Sequence, residues 1–246
     1  MKNTRRMRCF AGRCAREILR DPLTLFFGLV FPLLLLLMMT LIQANIPVEL
    51  FMINHLAPGV AVFGLSFLAL FSALLVSRDR STAFLARLFS TPMTAVDFLA
   101  GYLLPLLPMA LSQGAAVYAV SLALGLRLSL NLLYAWLAGL IPALLYIALG
   151  LLCGTLLNDK QVGGICGALL TNLSAWLSGI WFDISLLGGA FGAVCKILPF
   201  YHAVEACRAA LNGGSAWGHL GVTLAYALAL LLLAAWCFAR KMKKGE

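Results

Sequence analysis

The sequence predicts an all-α membrane protein with six transmembrane helices, an N-terminal amphipathic interfacial helix and an outer re-entrant helical hairpin before the last span. Three observations predict it. Of 246 residues, 63% are hydrophobic and only 11% charged, where a soluble domain carries about a quarter charged residues. The mean hydropathy is +0.98, and the apolar residues are concentrated in six long runs. The basic residues fall between those runs with a strong bias to one side.

A hydrocarbon core about 30 Å thick needs about 20 apolar residues to cross it as a helix. Six segments meet that length, 23–43, 57–77, 99–123, 132–157, 162–182 and 220–238, and none contains Asp, Glu, Lys or Arg. With the N-terminus inside, fifteen of the eighteen Lys and Arg lie in segments 1–22, 78–98, 158–161 and 239–246, and only Arg127, Lys196 and Arg208 lie outside. Both termini are therefore expected in the cytoplasm. The first apolar run is too long for the core of a cleaved leader, and no small-residue cleavage site follows it, so it is expected to stay as a span.

Segment 1–22 precedes the first span, and residues 23–246 form the six-helix domain. At 100° per residue, Met7, Phe10, Ala11, Cys14 and Ile18 share one helix face. Arg5, Arg6, Arg13, Arg16 and Arg20 share the opposite one. This segregation predicts a helix at the inner interface, apolar side among acyl chains and guanidinium groups among phosphates. The alternative is a disordered basic tail. Asp21-Pro22 then breaks the helix and turns the chain into the membrane.

The loop 78–98 reads RDRSTAFLARLFSTPMTAVDF. Ser81 or Thr82 is a candidate cap for a short helix through Phe89, Pro92 its stop, and Thr94 a cap for the helix entering the third span. Phe84, Leu85, Leu88 and Phe89 make one side of that piece apolar, with Arg87 on the other. It suits docking on a partner protein, or an interfacial turn on lipid. Segment 183–216 lies outside yet is largely apolar. A first helix, 184–198, is too short to cross and contains Lys196. Pro199 separates it from a second at about 202–211, where Glu205 and Arg208 are spaced to pair. The pattern predicts a hairpin dipping into the outer leaflet.

Enzyme constellations are absent from the sequence: no GxSxG elbow, no HExxH pair and no Gly-rich phosphate loop ending in Lys-Ser or Lys-Thr. The seven cysteines include no CxxC pair and imply neither a disulfide framework nor a zinc site. His55, His202 and His219 fall outside the spans or at their ends and read as interfacial residues. No cofactor is expected on this chain, and no nucleic acid. Without intramembrane charge, the chain lacks the usual proton or sodium ligands of ion-coupled carriers. Uphill transport would have to draw its energy from another polypeptide. Gln113, Thr171, Asn172 and Ser174 either hydrogen-bond neighbouring helices or line a path for an amphipathic solute. Gly150/Gly154 and Gly163/Gly167 permit close helix approach. Pro32, Pro105, Pro108 and Pro142 are expected to bend their helices.

Five segments in order carry a resemblance: LRDPLTLFFGLVFPLLL at 19–35, APGVAVFG at 57–64, RDRSTAFLARLFSTPMTAVDFLAGY at 78–102, LSGIWF at 177–182 and LPFYHAVEACRAAL at 198–211. Together with the topology they resemble the permease subunit of bacterial type-2 ABC exporters, a class that includes drug, antibiotic and polysaccharide exporters. The resemblance implies a connecting helix at 1–22, a coupling helix in 78–98 and an outer hairpin at 183–212. It implies two permease copies, identical or paralogous, assembled in the bacterial cytoplasmic membrane with two ATPase subunits that hold ATP and Mg. Arg78, Asp79, Arg80 and Arg87 would then contact the ATPase, with Phe84 and Leu88 as apolar anchors. Phe63, Phe67 and Phe71 on the second span, and Thr171, Asn172 and Trp176 on the fifth, would border the substrate cavity. The family often has an acidic residue followed by Gly-Thr after the second span; here Asp79 and Ser81-Thr82 stand there. Two other readings compete: a non-transporting membrane scaffold or sensor subunit, and a lipid-modifying enzyme, for which the spans offer no convergent acid, base or metal ligands.

Overall fold

The computed structural model describes residues 2–46, 49–82, 94–184 and 188–244. They are helical with short connections, and among them there is no strand. In chain order the helices are α1 (Lys2–Arg20), α2 (Pro22–Asn45), α3 (Ile53–Ser81), α4 (Ala95–Ala123), α5 (Leu130–Leu156), α6 (159–177), α7 (Gly189–Ile197), α8 (Pro199–Leu211) and α9 (Trp217–Lys244).

Local chemistry sets the boundaries. Asp21 ends α1 and caps α2, its carboxylate accepting from the Leu23 amide at 3.1 Å and the Thr24 hydroxyl at 2.8 Å, with Pro22 at the first helical position. Thr94 caps α4 through a reciprocal box with Asp97, as its position before the third run predicts. Asn158 and Gln161 form the same device at the start of α6. The π-turn Phe26–Val30 in α2 lies just before Pro32, which has no N–H to offer the carbonyl of Gly28, so the turn widens.

Among the described residues, five helices are long and apolar enough to cross a membrane: α2, α3, α4, α5 and the segment Trp217–Met242 of α9. The expected fifth span, 162–182, takes a different form. Helix α6 starts earlier, at Asp159, passes through a π segment, Gly163–Leu170, and stops at Leu177. Its start includes Asp159, Lys160 and Gln161, and Gly179 follows with φ +71°. Polar residues at one end and a glycine turn at the other leave a shorter apolar helix than the run of letters implied. Helix α3 continues to Ser81, so Ser81 lies inside it rather than capping a following helix. The rest of the expected coupling piece, with Phe84, Arg87, Leu88 and Pro92, lies outside the described residues.

Helix α3 is the axis of the bundle: 89% of its apolar stretch is buried within the chain, against 17% for α2 and 22% for α9. Its most extensive packing is against α5. Gly150 and Gly154 make this possible, because a Cβ at either would overlap the α3 backbone at Ala69 or Ala73. Helix α9 covers the other side of α5, and α8 sits between α3, the first half of α5 and α9.

Candidate functional site

At the Ser81 end of α3 the chain gathers its charged groups. Asp79 is only 3% exposed. Its two carboxylate oxygens accept from the two terminal nitrogens of Arg13 at 2.7 and 2.6 Å. The Tyr102 hydroxyl donates to Asp79 Oδ2 at 2.8 Å. A buried carboxylate needs such partners, and the forked, two-bond pairing is the geometry guanidinium and carboxylate favour. Arg13 also reaches Glu17, one turn on, at 3.0 Å. The hydrogen bond to Asp79 is the main cause that holds the Arg13 guanidinium above its ordinary pKa, against the opposing effect of burial. Helices α1, α3 and α4 thus meet at one carboxylate.

Apolar packing completes the joint and corrects one expectation. Phe10, Cys14 and Ile18 of α1 are buried against protein, not spread among acyl chains. Phe10 stands edge-on to Tyr102 and Phe98, with ring centroids 4.8 and 5.8 Å apart. Its ring occupies the space a side chain at residue 101 would need, which Gly101 leaves open. The amphipathic pattern was correctly legible, but an apolar helix face does not say whether protein or lipid covers it. Arg5, Arg6, Arg8, Arg16 and Arg20 remain exposed.

The three described residues of the expected coupling set diverge. Arg78 is exposed and Asp79 faces inward. Arg80 donates through Nη1 to the carbonyls of Gly154, Thr155 and Leu157 at 2.8, 2.5 and 3.2 Å. It thereby satisfies the open end of α5, the role a cation near a helix C-terminus performs well.

The six expected cavity residues also divide. Phe63, Phe67 and Phe71 are buried. Phe67 stacks on Phe27 at 5.4 Å and meets Phe31 and Phe63 edge-on, and Phe63 contacts Trp181 at 5.7 Å. They form an aromatic seam between α2, α3 and the segment after α6. Thr171 is buried, its hydroxyl donating to the Cys166 carbonyl at 2.9 Å within the widened part of α6. Asn172 and Trp176 lie on the outer face of α6, with exposed Leu169 and Leu173. Gln113 bonds a neighbouring helix, donating to the Ala61 carbonyl of α3 at 3.1 Å.

At the other end of α3, Arg208 of α8 is only 8% exposed. It pairs with Glu205 at 2.9 Å, as their spacing predicts. It also donates to the carbonyls of His55 at 3.3 Å and Gly179 at 3.2 Å, fastening α8 to α3 and to the exit of α6. Sequence reasoning missed Arg13 and Tyr102 as partners of Asp79, and missed the pairing of His202 with His219. For Arg13 the sequence carried no signal, because on the helix wheel it lies inside the basic stripe, between Arg20 and Arg6.

The family model described as "ABC-2 type transporter" matches residues 7–212, from the middle of α1 to the residue after α8. No curated protein matches the chain.

Proposed function

From the premise that the chain belongs to the ABC-2 type transporter family, we propose that it is the permease subunit of an ATP-driven exporter. Membership makes it a transport subunit with several membrane-length helices. The further reading is that it moves an amphipathic or lipid-like solute, such as a drug or antibiotic, out of a bacterial cytoplasm by alternating access. Two permease copies and two ATPase subunits would form the machine, with ATP and Mg on the ATPase. In this arrangement the α1 end of the bundle and both termini are cytoplasmic. Helix α6, together with the non-helical segment 178–182 that follows it, serves as the sixth crossing. Helices α7 and α8 form the outer re-entrant hairpin.

One observation carries the mechanism: the Asp79 carboxylate holds Arg13 and Tyr102 shortly before segment 83–93 in the chain. A push on that segment by a closing ATPase is transmitted through Asp79 to α1 and α4 at once, because a buried, doubly hydrogen-bonded ion pair resists separation. The exposed Arg78, with Phe84, Arg87 and Leu88 of that segment, then supplies the docking contacts. Arg80 and Asp79 are the frame behind them. The aromatic seam of Phe63, Phe67 and Phe71 gives α3 a surface that α2 slides or tilts against. The outer face of α6, with Asn172 and Trp176, borders the space shared with the second permease, and Thr171 backs it.

The test is to express the chain with its ATPase and measure ATP turnover and solute export in proteoliposomes. The variant Arg78→Glu/Arg87→Glu is expected to lose stimulation of the ATPase while the bundle stays folded. Full stimulation and export in that variant would reject the coupling role. Export by the purified chain alone, driven by a proton or sodium gradient, would reject the whole reading.

A further inference from the structure

The His202 and His219 side chains approach one another with Nδ1 to Nδ1 at 2.8 Å, one ring on α8 and the other at the start of α9. The second nitrogen of His202, Nε2, lies 2.8 Å from the Lys196 carbonyl. A carbonyl only accepts, so Nε2 of His202 carries the hydrogen. In the neutral ring the Nδ1 lone pair of His202 is therefore available, and it accepts from the Nδ1–H of His219. Fixing one ring nitrogen on a backbone carbonyl is the arrangement that orients a metal-ligating histidine and raises its basicity. Tyr201 flanks the pair edge-on, with ring centroids 5.5 Å from His202 and 6.0 Å from His219. Glu205, one turn beyond His202, lies close enough to act on His219 electrostatically. Both rings are partly exposed, so an ion has access from outside the bundle.

We propose that His202 and His219 form a two-histidine site for a borderline divalent transition metal such as Zn2+ or Cu2+, bridging α8 and α9. On metal entry the proton of His219 Nδ1 moves to its own Nε2 through solvent, leaving both Nδ1 lone pairs directed at the ion. No redox change or co-reactant is required. Zn–N bonds of about 2.0–2.1 Å at a tetrahedral angle place the two nitrogens about 3.3 Å apart, so the rings spread by about 0.5 Å from the hydrogen-bonded pair and tilt until both lone pairs meet at the ion. No group of three or more His, Cys, Asp or Glu among the described residues is placed to hold a metal. Water therefore fills the remaining positions, and the site is open and exchangeable rather than structural. The site would clamp the first turn of α8 to the first turn of α9, at the end of the bundle where Arg208 fastens α8 to α3. The expected slowing of export by that clamp rests on the transport reading above; the binding itself does not.

The experiment uses the full chain in detergent, with accessible thiols first blocked by N-ethylmaleimide. Titration with Zn2+ is expected to show one site per chain. Its affinity falls at least about tenfold in His202→Ala and in His219→Ala, while His55→Ala binds as the wild type does. Cu2+ bound to the unmutated chain is expected to show electron paramagnetic resonance couplings from two imidazole nitrogens. Equal affinity in His202→Ala and wild type, or a Cu2+ spectrum with one nitrogen or none, would overturn the site. The spectrum needs no variant to fold. Two-nitrogen binding that leaves ATP-driven export unslowed would support the site and count against hairpin movement in the proposed mechanism.

Discussion

Arg13 holds Asp79 across sixty-six positions of sequence, with both terminal guanidinium nitrogens on both carboxylate oxygens at 2.7 and 2.6 Å. The two partners are unequally covered: the Arg13 side chain is 35% exposed and that of Asp79 4%. Removing one or the other therefore has unequal consequences.

Loss of Arg13 leaves a buried charged carboxylate with Tyr102 alone, whereas loss of Asp79 leaves a guanidinium that keeps Glu17 and reaches water, and deprives the buried Tyr102 hydroxyl, a neutral group, of its acceptor. Arg13→Ala should therefore destabilise the bundle more than Asp79→Ala. Breaking a fully buried pair costs about 3–5 kcal/mol, and the exposure of Arg13 lowers that to about 2–3 kcal/mol. Thermal unfolding in detergent measures both, and the double variant is expected to resemble Asp79→Ala rather than the sum. Equal losses, or additivity, would contradict the arrangement.

Cys9 and Cys14 give a chemical report on the docking of α1. Cys9 is exposed and Cys14 fully buried, and burial pushes the Cys14 thiol up to about 12. Alkylation needs the thiolate, so at pH 7.5 a maleimide should label Cys9 and spare Cys14. Phe10→Ala, which removes the ring seated over Gly101, should expose Cys14 to labelling. Mass spectrometry of the N-terminal peptide reads both.

Glu17 sets a pH dependence. Burial is the largest influence on it and outweighs the attraction of Arg13, so its pKa lies above the ordinary value of 4.5. A carboxyl raised in the folded state binds its proton more tightly there. It contributes stability below the ordinary value, and that contribution is lost as pH rises through the folded value. Glu17→Gln should therefore flatten the stability profile from pH 4.5 upwards and leave the pH 7 melting temperature equal or higher. A clear drop at pH 7 would mean that the bond to Arg13 outweighs burial.

Gly150 sits where α5 meets the backbone of α3, and a Cβ there would overlap Ser72 and the Ala69 carbonyl. Gly150→Ala is expected to cost about 1–3 kcal/mol by overpacking, while Gly163→Ala, with open space around it, should be neutral or slightly stabilising. Paired melting curves of the two variants check the contrast.

The helical class, the entry to α2 at Asp21-Pro22, the Thr94 cap and the Glu205–Arg208 pair were legible because each depends on near neighbours in sequence. The close approach at Gly150 and Gly154 was legible as a motif, but not its partner, α3. What stayed hidden depends on tertiary placement. Asp79 read as a surface contact for a partner subunit because nothing local announces Arg13 and Tyr102. Arg80 read the same way, although its guanidinium closes the end of α5. Phe63, Phe67 and Phe71 were recognised as one stripe, but their neighbours Phe27, Phe31 and Trp181 come from elsewhere in the chain. The shortening of α6 follows from Asp159, Lys160 and Gly179, whose effect the apolar run between them concealed.

The seat of α1 on α4 also fixes an order of assembly. Phe10 leaves the ribosome well before Phe98 and Tyr102, by on the order of ten seconds at about 5–20 residues per second. Through that interval its oily side has no protein to rest on, and the boundary of the lipid leaflet is a natural waiting place for a helix so divided. Its arginine stripe would keep it there until the later helix arrives. The same pattern then serves twice, first as a temporary raft during synthesis and afterwards as a permanent brace.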